Sequence, residues 1–191
     1  MRILRGTLEI IMTEVQLPEI ITTDRLVLRP YRLSDADAVL AHATDPEWAQ
    51  YLPVPIPYGP ADAAQFIARQ LLLDRSKNPA WAITLNADLV GGINVRLDLE
   101  NSVGEMGYST ARWIWGKGVA TEAARAVVDS VFKLLPVNRI RAMAKLRNQA
   151  SQRVMEKIGM RREGVLRQNR VVRGEAIDEA WYGVLRKEWS G

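Results

Sequence analysis

The sequence predicts a single α/β (α+β) domain around a mixed β-sheet of about seven strands. Three strand patterns, at 80–85, 89–97 and 103–110, follow one another through short turns. Such short connections are typical of an antiparallel meander. The third strand leads through a glycine loop into a helix pattern at 119–134, and a further strand pattern follows at 138–145. Because a helix joins the strands on either side of it, we expect that pair to be parallel.

Composition supports one packed domain. The chain has 191 residues, of which 48% are hydrophobic and 25% charged, so a buried core is expected and disorder is not. We assign residues 20–191 to this domain and 1–19 to an N-terminal extension or extra strand. Met12 gives a second plausible start, which leaves open whether residues 1–11 are native. The apolar runs are too short for a membrane span, and no secretory signal is recognisable, so we expect a cytoplasmic protein.

Residue usage excludes several site chemistries. The chain has no cysteine and one histidine, His42. Disulfides, thiolate metal sites and a cysteine nucleophile are therefore excluded, and we expect no metal site. The net charge of +4 and the pI near 9.6 suit an anionic cofactor. A mild positive charge does not by itself indicate nucleic-acid binding.

The first half of the chain predicts a strand, two helices and a long loop. Alternation at 22–30 indicates an edge strand, since proline is tolerated there. Ser34 is the expected cap of a helix that runs to about residue 43. Five prolines occur in the segment 44–60, which we interpret either as a binding loop or as a cover for the core edge. A second helix is expected at 60–74.

The second half predicts a short helix and two strands after the parallel pair. Asn148 begins the helix, and Gly159 is placed to end it. The strands are expected at 160–167 and 176–185, separated by a loop at 168–175. Gly91-Gly92 falls inside a predicted strand, which indicates a bulge or a close approach of two backbones.

The segment Trp113–Ala123 is the main functional motif. Gly116 and Gly118 frame Lys117, and a run of good helix formers follows. A glycine loop that opens a helix presents backbone N–H groups without carbonyl partners, at the positive end of the helix dipole. This arrangement predicts an anion site, most often for phosphate. We expect a ligand that carries a diphosphate.

Two motifs together resemble one family. Trp115–Ala123 is similar to the acyl-CoA loop of the GCN5-related N-acetyltransferases (GNAT), and 148–160 is similar to that family's second CoA-side motif. The ends of the chain, 23–30 and 178–189, resemble the RimJ/RimL branch. The resemblance covers roughly residues 20–189. One position departs from the broad family pattern, because Trp113 stands where Gln or Arg is usual.

The resemblance implies a fold and a cofactor. It implies helices on both faces of the sheet and a parallel strand pair that splays apart at the CoA site. Acetyl-CoA is then the co-substrate, with no metal, and its pantetheine arm lies between the splayed strands. The implied cofactor-binding residues are Trp115, Gly116, Lys117, Gly118, Val119, Ala120, Thr121, Asn148 and Ser151. Lys117 is alternatively a solvated loop lysine, and Asn148 also suits a helix cap.

Two residues are the catalytic candidates. An ammonium must lose a proton before it attacks the thioester, and Glu105 is the candidate base, with a water chain as the alternative. Glu105 is alternatively an outward strand residue paired with an arginine. Ser151 is the candidate donor to the leaving thiolate, or a first-turn helix residue. Tyr108 and Tyr182 are further hydroxyl donors. Asp178 is expected either to hold the 168–175 loop or to contact the substrate amine.

The resemblance implies an acetyl-CoA-dependent N-acetyltransferase. Its acceptor would be a primary amine, either a protein N-terminal α-amine, ribosomal in the best-known members, or a small molecule such as a polyamine, amino sugar or antibiotic. A CoA-binding module without catalysis is the alternative from another class. The arginines at 161–162 and 167–173 lack interleaved aromatic residues, so direct nucleic-acid binding is not expected. Either a monomer or a homodimer is consistent with the sequence.

Overall fold

The computed structural model describes residues 16–190, which form one eight-stranded sheet with helices on both faces. The strands are β1 (Ile21–Thr22), β2 (Leu26–Arg29), β3 (Ala80–Leu85), β4 (Asp88–Asp98), β5 (Val103–Thr110), β6 (Arg139–Lys145), β7 (Arg161–Val172) and β8 (Glu175–Leu185). The helices are α1 (Ala36–Ala43), α2 (Pro46–Ala49), α3 (Pro60–Leu72), α4 (Val119–Leu134) and α5 (Gln149–Lys157). The extra strand considered for residues 1–11 lies outside the described residues.

The sheet order is β1-β2-β3-β4-β5-β6-β8-β7. Strands β1 to β5 pair antiparallel, as the meander pattern predicts, and β5 pairs parallel to β6 across α4. The sheet has one strand more than the seven expected. The additional strand is β1, whose two residues pair with β2. Two residues are too few to show the alternation by which a strand is recognised in a sequence.

The parallel pair separates soon after it begins. Strands β5 and β6 are paired only from Val103↔Arg139 to Glu105↔Arg141. Beyond that point β5 stays bonded to β4 and β6 stays bonded to β8. In the described chain, the edges 106–110 and 142–145 therefore face each other without a ladder between them. The separation that the family resemblance implies is confirmed.

The hydrophobic core is divided between the two faces of the sheet. The larger cluster packs α4 and α5 against the central strands, and it buries every apolar residue on the inner side of α4. The smaller cluster packs α1 and α3 against the first strands around Tyr31 and Ile67. Among residues 16–190, no helix is long and apolar enough to cross a bilayer.

Two details of the first half differ from the sequence prediction. Ser34 is not a helix cap. Instead, a 3₁₀ turn at Leu33–Asp35 precedes α1, and the Asp35 carboxylate accepts from the Arg32 amide at 2.7 Å and pairs with Arg29. The segment 44–60 is not wholly loop, because it contains α2, whose first amides are capped by Asp45. A one-turn helix among prolines has no apolar periodicity to reveal it.

The loop expected at 168–175 is mostly strand. Strands β7 and β8 form a long hairpin that turns at Arg173-Gly174, where both residues have positive φ. Gln168 also has a positive φ and lies where the register shifts between Leu166 and Arg170. This bulge interrupts the alternation of side chains, which explains why the sequence pattern stops near residue 167.

Gly91 and Gly92 fulfil both predictions made for them. The register of β3 against β4 shifts between Ile83 and Thr84, opposite this pair, so a bulge is present. A Cβ on Gly91 would overlap the backbone carbonyl oxygen of Ser109 in β5, and one on Gly92 would overlap the hydroxyl of Tyr31. The glycines therefore allow β5 and Tyr31 to approach β4 closely.

We predict that Gly91→Ala destabilises the fold by about 2 kcal/mol, because the new methyl group meets backbone that cannot move aside. Urea unfolding at neutral pH measures this change. Gly164→Ala is the matched control, since Gly164 also lies in a strand but has open space around its Cβ position. We expect the control to change stability by less than about 0.5 kcal/mol. Equal stability of the two variants would contradict the close approach.

Candidate active site

A cleft of about 530 Å³ lies where β5 and β6 separate. Its walls come from β4 and β5, the end of β6, the start of α5, the β7–β8 hairpin, α3 and the segment around Tyr51. Glu105, Asn148 and Ser151 all line it. Residues that are far apart in the chain, and that the sequence analysis selected separately, are thus brought to one cavity.

The glycine loop has the backbone of an anion site. Gly116 and Gly118 have φ of 75° and 80°, and Gly118 is the N-cap of α4. The amides of Trp115 and Lys117 are already used, because they donate to Arg112 O at 3.0 Å and Ile114 O at 3.3 Å. The donors that remain for a ligand are therefore those of the two glycines and of the first turn of α4.

Arg25 and Glu122 hold the glycine loop to the first strands. The Glu122 carboxylate accepts from Thr23 Oγ1 at 2.6 Å and from Arg25 Nε at 2.7 Å. Arg25 Nη1 also donates to the carbonyl of Lys117 at 3.1 Å. Burial opposes ionisation of Glu122, but these hydrogen bonds lower its pKa. Arg25 thus places a positive charge beside the loop. This residue was not predicted from the sequence, because Arg25 and Lys117 are 92 positions apart in the chain.

The two tryptophans shape the same loop. The Trp115 indole donates to the carbonyl of Thr110 at 2.8 Å, and its ring lies 6.5 Å from that of Tyr51. Lys117 is exposed, and its ammonium lies 5.9 Å from the centre of the Trp113 ring. Packing by Trp113 and Trp115 therefore supports the loop at the position where the sequence departs from the family pattern.

Ser151 and Tyr108 form a hydroxyl pair in the cleft wall. The Tyr108 hydroxyl lies 2.9 Å from Ser151 Oγ and donates to the Ser151 carbonyl, also at 2.9 Å. The Asn148 side chain accepts from the Ser151 amide at 3.1 Å, so its predicted role as helix cap is confirmed. Burial raises the pKa of Tyr108 to about 12. The Tyr108 hydroxyl is therefore protonated at neutral pH, and either hydroxyl of the pair can be the donor.

Glu105 lies in the cleft within two ion pairs. Its Oε1 accepts from Arg96 at 2.8 Å, and its Oε2 accepts from Arg141 Nε at 3.0 Å. Arg141 is the residue paired with Glu105 in the last rung of the parallel ladder. This geometry favours the alternative that the sequence left open, in which Glu105 is a strand residue paired with arginine.

Tyr182 and Asp178 have structural partners. Tyr182 is 1% exposed, and its hydroxyl donates to Glu156 at 2.9 Å. Asp178 accepts from the Gln168 amide at 2.8 Å, so its carboxylate holds the bulge of β7. Of the two roles considered for Asp178, the structure thus shows the one that stabilises the 168–175 segment.

Three cationic residues of the cleft were not selected from the sequence. They are Arg96, Lys145 and Arg170. Lys145 is 6% exposed and donates to the carbonyl of Gln50 at 2.6 Å. Burial, followed by the nearby Arg147 and Arg173, lowers its pKa. Strand parity was the available signal, because Arg141, Met143 and Lys145 share one face of β6.

The protein-family model of the acetyltransferase (GNAT) domain matches residues 25–161 of this chain. The chain belongs to the GNAT acetyltransferases.

Relatives of this family resemble the chain along its length. An uncharacterised N-acetyltransferase, p20 of Bacillus licheniformis, is 32% identical over 91% of this chain and 99% of its own. The crystal structure of a GNAT-family acetyltransferase from Bacillus anthracis superposes with a TM-score of 0.79 at 31% identity, covering 88% of this chain and 99% of that one. The structure of RimL with bound coenzyme A superposes with a TM-score of 0.79 at 20% identity, covering 87% of this chain and 98% of RimL. RimL therefore shares the fold.

The residues of this GNAT domain fit coenzyme A. The glycine loop provides the donors and the positive φ that a diphosphate requires close to the backbone. The unpaired edges of β5 and β6 provide hydrogen bonds for an extended amide-containing arm, as an added strand would receive. The gap leads to the hydroxyl pair of Ser151 and Tyr108, where the sulfur end of such an arm would lie.

We predict that Gly118→Ala weakens coenzyme A binding about tenfold. A left-handed backbone costs an alanine roughly 1–2 kcal/mol, and the loop must resume that conformation when it binds. Isothermal titration calorimetry with coenzyme A measures the change. Gly174→Ala is the control, because Gly174 has a φ of 81° in the β7–β8 turn. We expect it to lower stability and leave the affinity unchanged; an equal loss in both variants would contradict the role of the loop.

Proposed function

We propose that this GNAT enzyme transfers the acetyl group of acetyl-CoA directly to the α-amine at the N-terminus of a protein, as RimL does for ribosomal L7/L12. The observation that supports the transfer is the hydroxyl pair of Ser151 and Tyr108, which lies in a cleft at the gap between β5 and β6. The N-terminal acceptor rests on the resemblance of the chain ends to the RimJ/RimL branch and on the shared fold.

The proposed binding mode uses three parts of the chain. The amides of Gly116, Gly118 and the first turn of α4 bind the diphosphate. The edges 106–110 and 142–145 bind the pantetheine arm. Acetyl-CoA supplies the thioester, whose carbonyl carbon the acceptor nitrogen attacks. Asn148 has its carboxamide oxygen engaged with Ser151, so it fixes the start of α5.

The transfer needs one proton to leave the amine and one to neutralise the sulfur. The carbon–nitrogen bond forms, the carbon–sulfur bond breaks, and the sulfur takes the electron pair of that bond. The Ser151 hydroxyl, which is hydrogen-bonded to Tyr108 in the free protein, turns to donate a hydrogen bond to the departing sulfur. The proton that leaves the nitrogen passes through water in the cleft to the sulfur, either directly or through Ser151, which gives up its own proton and regains one from that water.

Glu105 has a positioning role in this proposal. Its two ion pairs join β4, β5 and β6 at the last rung before the strands separate. The carboxylate thus sets where the gap begins. A base would instead need an oxygen that faces the incoming amine, and both oxygens of Glu105 accept from guanidinium groups.

The first test is acetylation of short peptides with free or blocked N-termini, followed by mass spectrometry and thiol release. We expect acetylation of free N-termini and none of blocked ones. Ser151→Ala should lower kcat about 100-fold, since a single donor to developing negative charge has effects of that order. Ser130→Ala, a helix serine that bonds the Ala126 carbonyl, is the control. Binding of acetyl-CoA without turnover on any amine would contradict the proposal and favour a non-catalytic module.

The second test separates positioning from base catalysis at Glu105. We expect Glu105→Gln to lower kcat/KM about tenfold, as one ion-pair network is weakened, without moving the acidic limb of the pH–rate profile. Glu163→Gln, which weakens the ion pair of Glu163 with Arg139 elsewhere on the sheet, is the control. Loss of the acidic limb in Glu105→Gln alone would identify Glu105 as the base.

A further inference from the structure

The charges around the cleft are mostly positive. Arg96, Lys145 and Arg170 line it, and Arg141 stands behind Glu105. The carboxylates that pair with these cations are those of Glu105 and Glu179. They pair with Arg96, Arg141 and Arg170, which leaves Lys145 as the fourth cation without an ion-pair partner in the described part of the chain.

Both carboxylates already form ion pairs within the protein. Glu105 is shared by Arg96 and Arg141. Glu179 has a side chain that is 1% exposed, and it accepts from Arg170 and from Asn169 at 2.7 Å. Neither can pair with a second ammonium group on a substrate without giving up an existing partner. A polyamine or a cationic amino sugar would thus enter a cleft that repels it.

Lys145 is the cation that lacks a counter-ion. It is 6% exposed and lines the cleft, and in the described part of the chain no carboxylate forms an ion pair with it. Its ammonium donates one hydrogen bond, to Gln50 O, and an ammonium has three N–H donors. Arg147, Arg173 and Arg170 add positive potential, and Glu175, which lies 3.6 Å from Arg147, opposes them. A buried charge in this state is stabilised when an anion reaches it.

We propose that the acceptor carries an anionic group, a carboxylate or a phosphate, beside the amine that is acetylated, and that Lys145 binds this group with Arg170 at its side. This inference rests on the proposed acetyl transfer. For a peptide acceptor it predicts an acidic or phosphorylated residue close to the N-terminus. Lys145 is then the residue that determines specificity by charge.

Lys145 also has a structural contact that the test must separate from anion binding. Its bond to Gln50 ties β6 to the strap, residues 44–59, and Arg173 makes further bonds to the carbonyls of Leu52 and Val54. Loss of this tie would lower the activity towards every acceptor by the same factor. Loss of anion binding would lower it only for acceptors that carry the anion.

The experiment compares matched acceptors that differ in one charge. The probes are peptides with Asp or Asn, and with phosphoserine or serine, at the second position, together with spermidine as a cationic amine. We expect the anionic member of at least one pair to have a kcat/KM about tenfold higher, as for one charge-assisted hydrogen bond. The preferred pair shows whether carboxylate or phosphate is the group that is bound.

Three variants test whether Lys145 causes the preference for the anionic peptide. Lys145→Met should reduce the ratio of kcat/KM between the anionic and the neutral peptide to less than about threefold, because the charge is lost. Lys145→Arg should retain most of it. Lys187→Met removes an exposed lysine remote from the cleft and should leave the preference unchanged. A fall of the same factor for both members of a pair in Lys145→Met would assign Lys145 to the strap alone and overturn the proposal.

The outcomes distinguish this inference from the proposed function. Equal transfer to neutral, cationic and anionic acceptors would overturn the inference and leave the transferase intact. If no acceptor is acetylated, titration calorimetry of the same peptide pairs into the protein saturated with coenzyme A decides. Tighter binding of the anionic member that disappears in Lys145→Met supports the anion site, and equal binding of both members overturns it.

Discussion

The cleft exists because β5 and β6 stop pairing after Glu105↔Arg141. A continuous ladder would satisfy those backbone groups internally and leave no edge for an extended ligand. The strands can part because each has a second partner, β4 on one side and β8 on the other. Helix α4 joins the two strands, and its first turn presents backbone amides next to the glycine loop.

The strap forms one wall of the cleft and is held by bonds to its backbone and to Asp45. Arg112 pairs with Asp45 at the end next to the glycine loop, while Lys145 and Arg173 bind carbonyls nearer the β7–β8 hairpin. One segment thus links the glycine loop with the wall of the cleft near the β7–β8 hairpin. Lys145 and Arg173 donate to carbonyl oxygens, which accept the hydrogen bonds without neutralising the positive charges.

Local patterns predicted much of the fold and part of the site. The meander, the parallel pair, the glycine loop and the Asn148 cap follow from spacing and turn chemistry, which act over a few residues. Predictions failed at β1, at α2 and in the β7–β8 hairpin. Two residues of strand, one turn of helix and a bulge at Gln168 are all shorter than the windows in which periodicity is visible. Ser34 failed as a cap because it lies inside a 3₁₀ turn, and Asp35, bound to Arg29 and to the Arg32 amide, holds that turn in front of α1.

The family, the glycine loop and the placement of Ser151 three residues after Asn148 could be recognised in the sequence, because these depend on residue type and spacing along one segment. The surroundings of these residues became known from the folded structure. Three contacts join residues that are 9 to 95 positions apart in the chain. They are the bonds of Glu105 to its arginines, of Ser151 to Tyr108, and of Lys145 to the Gln50 carbonyl. Charge balance in a cleft is a property of distances in space, and strand order sets those distances.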